Sequence, residues 1–119
     1  MKTHKDLEVW QKSISLVTAL YSLTSKYPSN EMYGITSQIR RAAISIPTNI
    51  SEGAARNHRK EFIQFLGISI GSAAELETLL LISANLKYLA DETYIHISLD
   101  LEKILRMLIN LKRSLSGNL

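Results

Sequence analysis

The stretch that decides the fold runs from residue 33 to residue 55 and reads YGITSQIRRAAISIPTNISEGAA. Its apolar residues recur every three or four positions, at Ile35, Ile39, Ala43, Ile46, Ile50 and Ala54. This is the period of an amphipathic helix, and it keeps its phase across Pro47, although an interior proline normally interrupts a helix. We therefore predict one continuous, bent helix over about Tyr33 to Ala55. The alternative is two helices joined at Ser45 and Ile46.

Three further segments show the same helical period on either side of this stretch. The first covers about Asp6 to Lys26 and should end before Pro28, because proline restricts the residue that precedes it. The third covers about Arg59 to Leu89, and the fourth runs from Asp91 through Leu115. Gly53, near the end of the second helix, suits a helix stop, and we expect Asn57 and Asp91 to be N-caps of the helices that follow them.

These segments define the predicted fold class. No segment alternates apolar and polar residues as a half-buried strand does. Four long helices joined by short loops pack antiparallel to their neighbours in sequence. The prediction is an all-α protein, a single domain over residues 1–119, folded as an antiparallel up-down-up-down four-helix bundle.

The composition excludes several classes of protein. The chain has no Cys, so neither disulfides nor thiolate chemistry is available to it. No secretory signal pattern is present, and the longest uncharged run, Phe62 to Ala74, is shorter than the roughly 20 apolar residues that span a bilayer. We expect a cytoplasmic protein with no membrane partner.

Residues that commonly form catalytic or metal sites are scattered along the chain. His4, His58 and His96 are far apart in sequence, and no Glu-x-x-His pair is present. The glycines at 67 and 71 lack the Lys-Ser/Thr that completes a phosphate-binding loop. We therefore predict that the protein is not an enzyme and has no catalytic residue, metal or cofactor.

A stripe of polar residues follows the apolar stripe of the second helix. It comprises Gln38, Arg41, Asn49 and Glu52, and Glu75 of the third helix could reach it. Carboxylates and guanidiniums also occur in active sites, but in helical bundles they more often pair to fix helix register. We favour this structural role, with Arg41 paired to Glu52 or Glu75.

The third helix has more apolar surface than one bundle needs. Between Phe62 and Leu89 its only charged residues are Glu75, Glu77 and Lys87. A helix that is apolar on most sides lies inside a large protein or at an interface, and this chain is too short for the first case. We predict self-association through a surface that comprises Ile44, Pro47, Ile68, Leu79, Ile82 and Leu86.

Positive charge is concentrated in the first half of the chain. Residues 1–60 contain nine Lys or Arg and four Asp or Glu, whereas residues 61–119 contain five and seven, so a net +5 and −2 give the total of +3. Basic surfaces attract nucleic acid by neutralising phosphates. The predicted phosphate-binding residues are Arg40, Arg56, Arg59 and Lys60.

Several motifs resemble those of one known family. They are DLEVW at residues 6–10, SQIRRA at 37–42 and SIPTNISEG at 45–53. The chain is similar over nearly its whole length to the four-helix bundle family first noticed as reading frames inside intervening sequences of bacterial 23S ribosomal RNA genes. The resemblance implies a ring-shaped homopentamer and supplies no catalytic residues. The family includes the accessory protein of diversity-generating retroelements, which binds nucleic acid and a reverse transcriptase.

Two functional hypotheses follow from these observations. The first is a non-catalytic homo-oligomeric scaffold, pentameric if it follows the family, that binds RNA or DNA phosphates through its basic surface. The alternative is a protein–protein interaction module without nucleic-acid binding, whose partner is a reverse transcriptase or another product of a neighbouring gene.

Overall fold

The computed structural model describes residues 3–117, and this part of the chain consists of four long helices. They are α1, Glu8–Thr24; α2, Ile35–Ala55; α3, Arg59–Asn85; and α4, Asp91–Ser116. Short 3-10 turns, His4–Asp6 and Ser29–Glu31, precede α1 and α2, and residues 3–117 contain no strand. The prediction of an all-α fold with four helices is confirmed.

The four helices enclose one hydrophobic core. Each helix packs against the next along the chain, and α1 also contacts α4, so the bundle is closed. Every helix contributes fully buried aliphatic side chains, and the largest are Leu20, Ile39, Ile46, Ile50, Leu66, Leu76, Leu80, Leu101, Ile104 and Leu108. Burying one such side chain contributes about 1.5–3 kcal/mol, so this core is the main source of stability.

α1 is shorter than the predicted helix of Asp6 to Lys26. The residues before it form a separate 3-10 turn, in which Asp6 Oδ2 accepts a hydrogen bond from the Thr3 N–H at 2.9 Å. Leu7 has an extended backbone and separates this turn from the helix. At its other end α1 stops at Thr24, so the predicted end before Pro28 is confirmed.

α2 runs from Ile35 to Ala55 through Pro47 without a break. The prediction of a continuous helix is therefore confirmed, and the alternative of two helices is wrong. Pro47 has no N–H and cannot donate to the carbonyl of Ala43, four residues earlier. Side chains add hydrogen bonds nearby, as where Asn49 Nδ2 donates to the Ser45 carbonyl at 2.8 Å. The bend at Pro47 stays a prediction.

α2 and α3 are antiparallel. Ser69 Oγ of α3 donates to the Ile46 carbonyl of α2 at 2.9 Å. Seven residues further along α2, Gly53 lies against Phe65, which comes four residues earlier in α3. Because residue numbers rise along one helix as they fall along the other, the two helices run in opposite directions.

Gly53 allows a close approach of these two helices rather than ending α2. A Cβ at this position would lie 2.6 Å from Phe65 Cβ, closer than two such atoms can approach. The helix ends at Ala55, as predicted, two residues after Gly53. The turn is made by Asn57, which has a left-handed backbone with φ 62°. His58 occupies the N-cap position of α3, and the prediction that Asn57 caps this helix is wrong.

α3 ends at Asn85, four residues before the predicted end at Leu89. Lys87 has a left-handed backbone with φ 67°. Its N–H donates to the Ala84 carbonyl at 3.0 Å, and the Tyr88 N–H donates to the Ser83 carbonyl at 2.9 Å. This pair of hydrogen bonds is the Schellman motif, which satisfies the last carbonyls of a helix and turns the chain away from it.

α4 begins at Asp91, one residue earlier than an N-cap at Asp91 would place it. Asp91 was expected to be the N-cap, but Ala90 occupies that position and its carbonyl accepts from the Tyr94 N–H at 2.9 Å. Asp91 and Glu92 instead lie in the first turn. Negative charge is favourable there because the helix dipole is positive at its N-terminus.

A side-chain contact joins the α1–α2 connection to the α3–α4 connection. Tyr88 Oη donates to Glu31 Oε2 at 2.8 Å. The rings of Tyr27 and Tyr88 are also in contact, with centroids 5.2 Å apart. The two connections therefore lie side by side at the same end of the bundle.

Candidate interaction surfaces

Arg40, a predicted phosphate-binding residue, is held against α1. Its Nε donates to Thr24 Oγ1 at 3.0 Å, and its guanidinium carbon lies 4.4 Å from the centroid of the Tyr21 ring. A guanidinium over an aromatic face is attracted electrostatically by the ring. These contacts make Arg40 part of the packing between α1 and α2.

The other three predicted residues, Arg56, Arg59 and Lys60, form a cluster that we call the basic turn. They lie at the junction of α2 and α3, and all three are exposed. The Arg56 guanidinium is 3.2 Å from Glu52 Oε2 and 5.1 Å from the centroid of the Phe65 ring. Arg59 and Lys60 are the first two residues of α3, where the helix dipole adds to their positive charge.

The structure does not bring Arg40 to the basic turn. Arg40 is in α2 and Arg56 directly follows its last residue, and their separation of 16 positions corresponds to about 24 Å of helical rise. The four predicted residues therefore form two separate places on the bundle. Of these two places, the basic turn is the one with several exposed cations close together.

The predicted interface residues of α3 are partly confirmed as surface residues. Ile68, Ile82 and Leu86 are exposed by 51%, 42% and 49% of their surface. Leu79 is only 7% exposed and belongs to the core, so its predicted place on this surface is wrong. Leu79 lies three residues after buried Leu76, at the edge of the inward-facing stripe, and the bundle covers it.

The predicted interface residues of α2 do not join this surface. Pro47 is buried inside the bundle, so the prediction of an exposed proline is wrong. Ile44 is 38% exposed, but it follows Arg40 by one helical turn and so lies on the side of α2 that faces α1. The predicted interface thus reduces to Ile68, Ile82 and Leu86 on α3.

Within residues 3–117, little packs against the glycines of α3. A Cβ at Gly71 would have nothing within 4 Å, and one at Gly67 would meet only the end of the Lys112 side chain at 3.9 Å. Glycine inside a helix costs about 1 kcal/mol relative to alanine. The surface of α3 around Gly71 is therefore open to a neighbouring backbone.

The polar stripe of α2 borders α3, as its position in the sequence predicts. Ser72 Oγ of α3 donates to Ser45 Oγ at 2.7 Å, and Asn49 Nδ2 donates to the same oxygen at 2.9 Å. Gln38 lies further along the same side of α2 and is exposed. These groups form a half-buried line of hydrogen bonds between the two helices.

The predicted pairing of Arg41 within this stripe is wrong. Glu52 pairs with Arg56, one turn further along α2, because i and i+4 residues lie above one another on a helix. In residues 3–117, Arg41 has no ion-pair partner within 4.0 Å, and neither has Glu75. Both side chains are exposed.

A cleft between α1 and α4, which the sequence did not predict, has a volume of about 540 Å³. Its floor is apolar and includes Leu16 and Ile104, and its rim carries the charged residues Glu8, Lys12, Asp100 and Lys103. Lys12 Nζ lies 3.8 Å from Glu8 Oε1. The cleft depends on how two helices that are distant in sequence pack, and no local motif in either of them signals it.

Two further properties of the described residues concern metals and membranes. Residues 3–117 contain no group of three or more His, Asp or Glu placed to hold a metal ion. Among the described helices, α3 alone is long and apolar enough to cross a membrane, with a mean hydropathy of 1.6 over 18 residues. Only 33% of that window is buried in the bundle, so much of this apolar helix is left uncovered by its own chain.

The fold places the chain among small all-α proteins built of four helices. A family model described as 23S rRNA-intervening sequence protein matches residues 5–110. The chain belongs to this family, and the predicted resemblance is confirmed.

A solved structure supports the same relationship. It is the crystal structure of a protein with unknown function from the S23 ribosomal protein family of Bacteroides thetaiotaomicron, which is 27% identical to this chain. The match covers 88% of this chain and 95% of that one, with a TM-score of 0.82. No curated protein matches the sequence.

Proposed function

We propose that the protein is a non-catalytic homo-oligomeric scaffold whose basic turn binds RNA or DNA phosphates. The observation that carries the proposal is the outer face of α3, where Ile68, Ile82 and Leu86 are about half exposed in a single chain. In the proposed assembly each chain is an up-down-up-down bundle, and copies cover one another along α3. Five copies in a ring is the arrangement that the family resemblance implies.

The energetics require a contact larger than these three side chains. Full burial of an aliphatic side chain contributes about 1.5–3 kcal/mol, and these are already half buried. Association costs about 4–15 kcal/mol in lost translational and rotational freedom. The contact must therefore include the neighbouring surface of α3, where Gly71 lets a second backbone come close.

Assembly would also strengthen the attraction of the basic turn for phosphates. Each chain has a formal net charge of only +3. Several copies held together present several basic turns to one nucleic acid, and linked weak contacts bind far more tightly than single ones. Arg59 and Lys60 are the main candidates, since Arg56 is already paired with Glu52.

Light scattering at micromolar concentration tests the assembly. We expect a mass that is a multiple of 13.4 kDa, near five times that value if the family arrangement holds. Ile82→Glu should lower the mass because it places a charge on the covered face. Leu81→Glu is the matched control, since Leu81 is 48% exposed but lies about 100° around the helix from Ile82. A 13.4 kDa particle for the unmodified protein would refute self-association.

Salt-dependent binding to single-stranded RNA tests the basic turn. The double change Arg59→Ala and Lys60→Ala should weaken binding and flatten its dependence on the logarithm of salt concentration. Two lost phosphate contacts correspond to a slope change of about 1.4. The control removes the same charge from α4, with Lys112→Ala and Arg113→Ala. If the assembled protein shows no salt-sensitive binding to RNA or DNA, the protein-interaction alternative is favoured.

A further inference from the structure

We propose that Arg41 and Glu75 form ion pairs between neighbouring copies of this chain. This inference rests on the self-association in the proposed function, and it names the polar contact that determines how two copies meet.

Arg41 and Glu75 lie beside the same point of the α2–α3 surface. Ser45 and Ser72 join the two helices there, with their hydroxyl oxygens 2.7 Å apart. Arg41 comes one helical turn before Ser45, and Glu75 comes about one turn after Ser72. Because α2 and α3 are antiparallel, both steps lead toward the same end of the bundle.

Neither charge has an ion-pair partner within residues 3–117. The ion pairs found within 4.0 Å in residues 3–117 all join residues i and i+4 of one helix, and they include neither Arg41 nor Glu75. Both side chains are exposed, and residues 3–117 provide neither with a side-chain hydrogen bond. Two opposite charges thus stand near each other on one surface and remain available to another molecule.

Glu75 occupies the middle of the line that a second helix would cover. The line steps by three and four residues along α3 through Ile68, Gly71, Glu75, Thr78 and Ile82, which is the spacing of helices that pack lengthwise. A Cβ at Gly71 would meet nothing within 4 Å, so a neighbouring helix has room there. Covering this line removes water from the Glu75 carboxylate, and that is unfavourable unless a cation meets it.

A second copy of the chain supplies such a cation. The other arginine at this side of α2, Arg56, is bonded to Glu52, which leaves Arg41 for a neighbouring molecule. Arg41 and Glu75 balance each other in charge, so this point of the surface does not favour a polyanion such as RNA. A surface with matched opposite charges is complementary to itself, and this favours a second copy as the occupant.

Charge reversal in the full-length protein tests the pair. Arg41→Glu and Glu75→Arg should each weaken association by about thirtyfold or more, because each places like charges against one another at the contact. The double variant Arg41→Glu/Glu75→Arg restores opposite charges and should recover most of the wild-type assembly. Mass by light scattering across a dilution series measures association, and circular dichroism confirms that each variant is folded.

Two controls carry the same charge changes elsewhere on the surface. Glu77→Arg reverses a second exposed carboxylate of α3, and Lys103→Glu reverses an exposed cation of α4. Both should assemble as the wild type does. Single variants at Arg41 and Glu75 that assemble normally, or a double variant no better than either single one, would overturn the inference. A wild-type protein that is monomeric would instead refute the proposed self-association.

Mixing the two single variants sharpens the test. Every contact between unlike copies then has opposite charges, so the mixture should assemble although neither variant does alone. A dimer or an even-numbered ring can alternate throughout, whereas a ring of five must keep at least one repulsive contact. Recovery in the mixture supports the pair, and failure to form any mixed assembly contradicts it.

Discussion

Gly53 and Gly71 both lie within helices, in α2 and α3, but their surroundings differ completely. At Gly53 the Cβ and ring of Phe65 fill the space that a side chain would need, with a contact at 2.6 Å. At Gly71 that space is empty for at least 4 Å. Packing within the chain therefore accounts for the small residue on the inner side of the α2–α3 contact. It does not account for the small and apolar residues on the outer side of α3.

Leu79 and Ile82 compare the inner and outer sides with the same substitution. Leu79→Glu should lower the free energy of unfolding by about 3–5 kcal/mol, because it leaves an unpaired charge inside the bundle. Ile82→Glu, at a position 42% exposed, should change the stability of the single chain by less than about 0.5 kcal/mol. Urea denaturation followed by circular dichroism measures both. Equal destabilisation by the two changes would contradict the assignment of Leu79 to the core and Ile82 to the outer surface.

The two glycines themselves provide the second test. Gly53→Ala introduces overpacking that costs about 1–3 kcal/mol, and the gain of about 1 kcal/mol in helix propensity offsets part of this loss. Gly71→Ala has no such clash and should stabilise the chain by up to about 1 kcal/mol. The comparison is best made by urea denaturation in the Ile82→Glu background, where no assembly contributes. Destabilisation by Gly71→Ala in that background would show that packing within the chain constrains Gly71.

Two buried hydroxyl groups test the interior alone. Ser69 Oγ donates to the Ile46 carbonyl, so Ser69→Ala should cost about 0.5–1.5 kcal/mol. Thr36 is 1% exposed, and its Oγ1 has no hydrogen-bond partner among the described residues. Thr36→Val, which removes an unsatisfied polar atom at nearly constant volume, should leave stability unchanged or raise it slightly. The measurement is again urea denaturation, and a large loss in Thr36→Val would reveal a partner for that hydroxyl.

Alkaline pH should weaken the end of the bundle that carries Tyr27 and Tyr88. The hydrogen bond to Glu31 raises the pKa of Tyr88 above its ordinary 10.0, and burial raises the pKa of Tyr27. The folded state favours the neutral phenols, so their contribution is complete below about pH 10 and is lost as pH rises through the higher folded pKa values. Unfolding measured near pH 8 and near pH 11 should show this loss. Tyr88→Phe should reduce this loss of stability at high pH. If the loss is unchanged in that variant, another group is responsible for it.

The sequence predicted the helices well because their apolar period is long and regular. The phase kept across Pro47 was a better guide than the proline itself, since tertiary contacts such as Ser69 to Ile46 support α2 there. The ends of the helices were less predictable. Gly53 resembles a helix stop in sequence, and only the position of Phe65 shows that it serves close packing.

The candidate surfaces were predictable only where residues adjacent in sequence stay adjacent in space. Arg56, Arg59 and Lys60 form one cluster for this reason, whereas Arg40 was grouped with them although helical rise alone separates it by about 24 Å. Leu79 was assigned to the wrong side because it lies at the edge of the buried stripe, where a small rotation decides exposure. The absence of an ion pair for Arg41 in residues 3–117 could not be predicted, because ion pairing between helices depends on how far the side chains reach.

The hydrogen bond from Tyr88 to Glu31 couples parts of the chain that are 57 residues apart. In native-state amide exchange, each connection would be expected to open on its own if nothing held it to the other. Here the α1–α2 connection cannot move away without releasing the α3–α4 connection, so the amides of both should exchange together as one cooperative unit. The Tyr88→Phe change removes the hydrogen bond but keeps the ring contact with Tyr27, so it should weaken the coupling and let the opening rates of the two connections diverge.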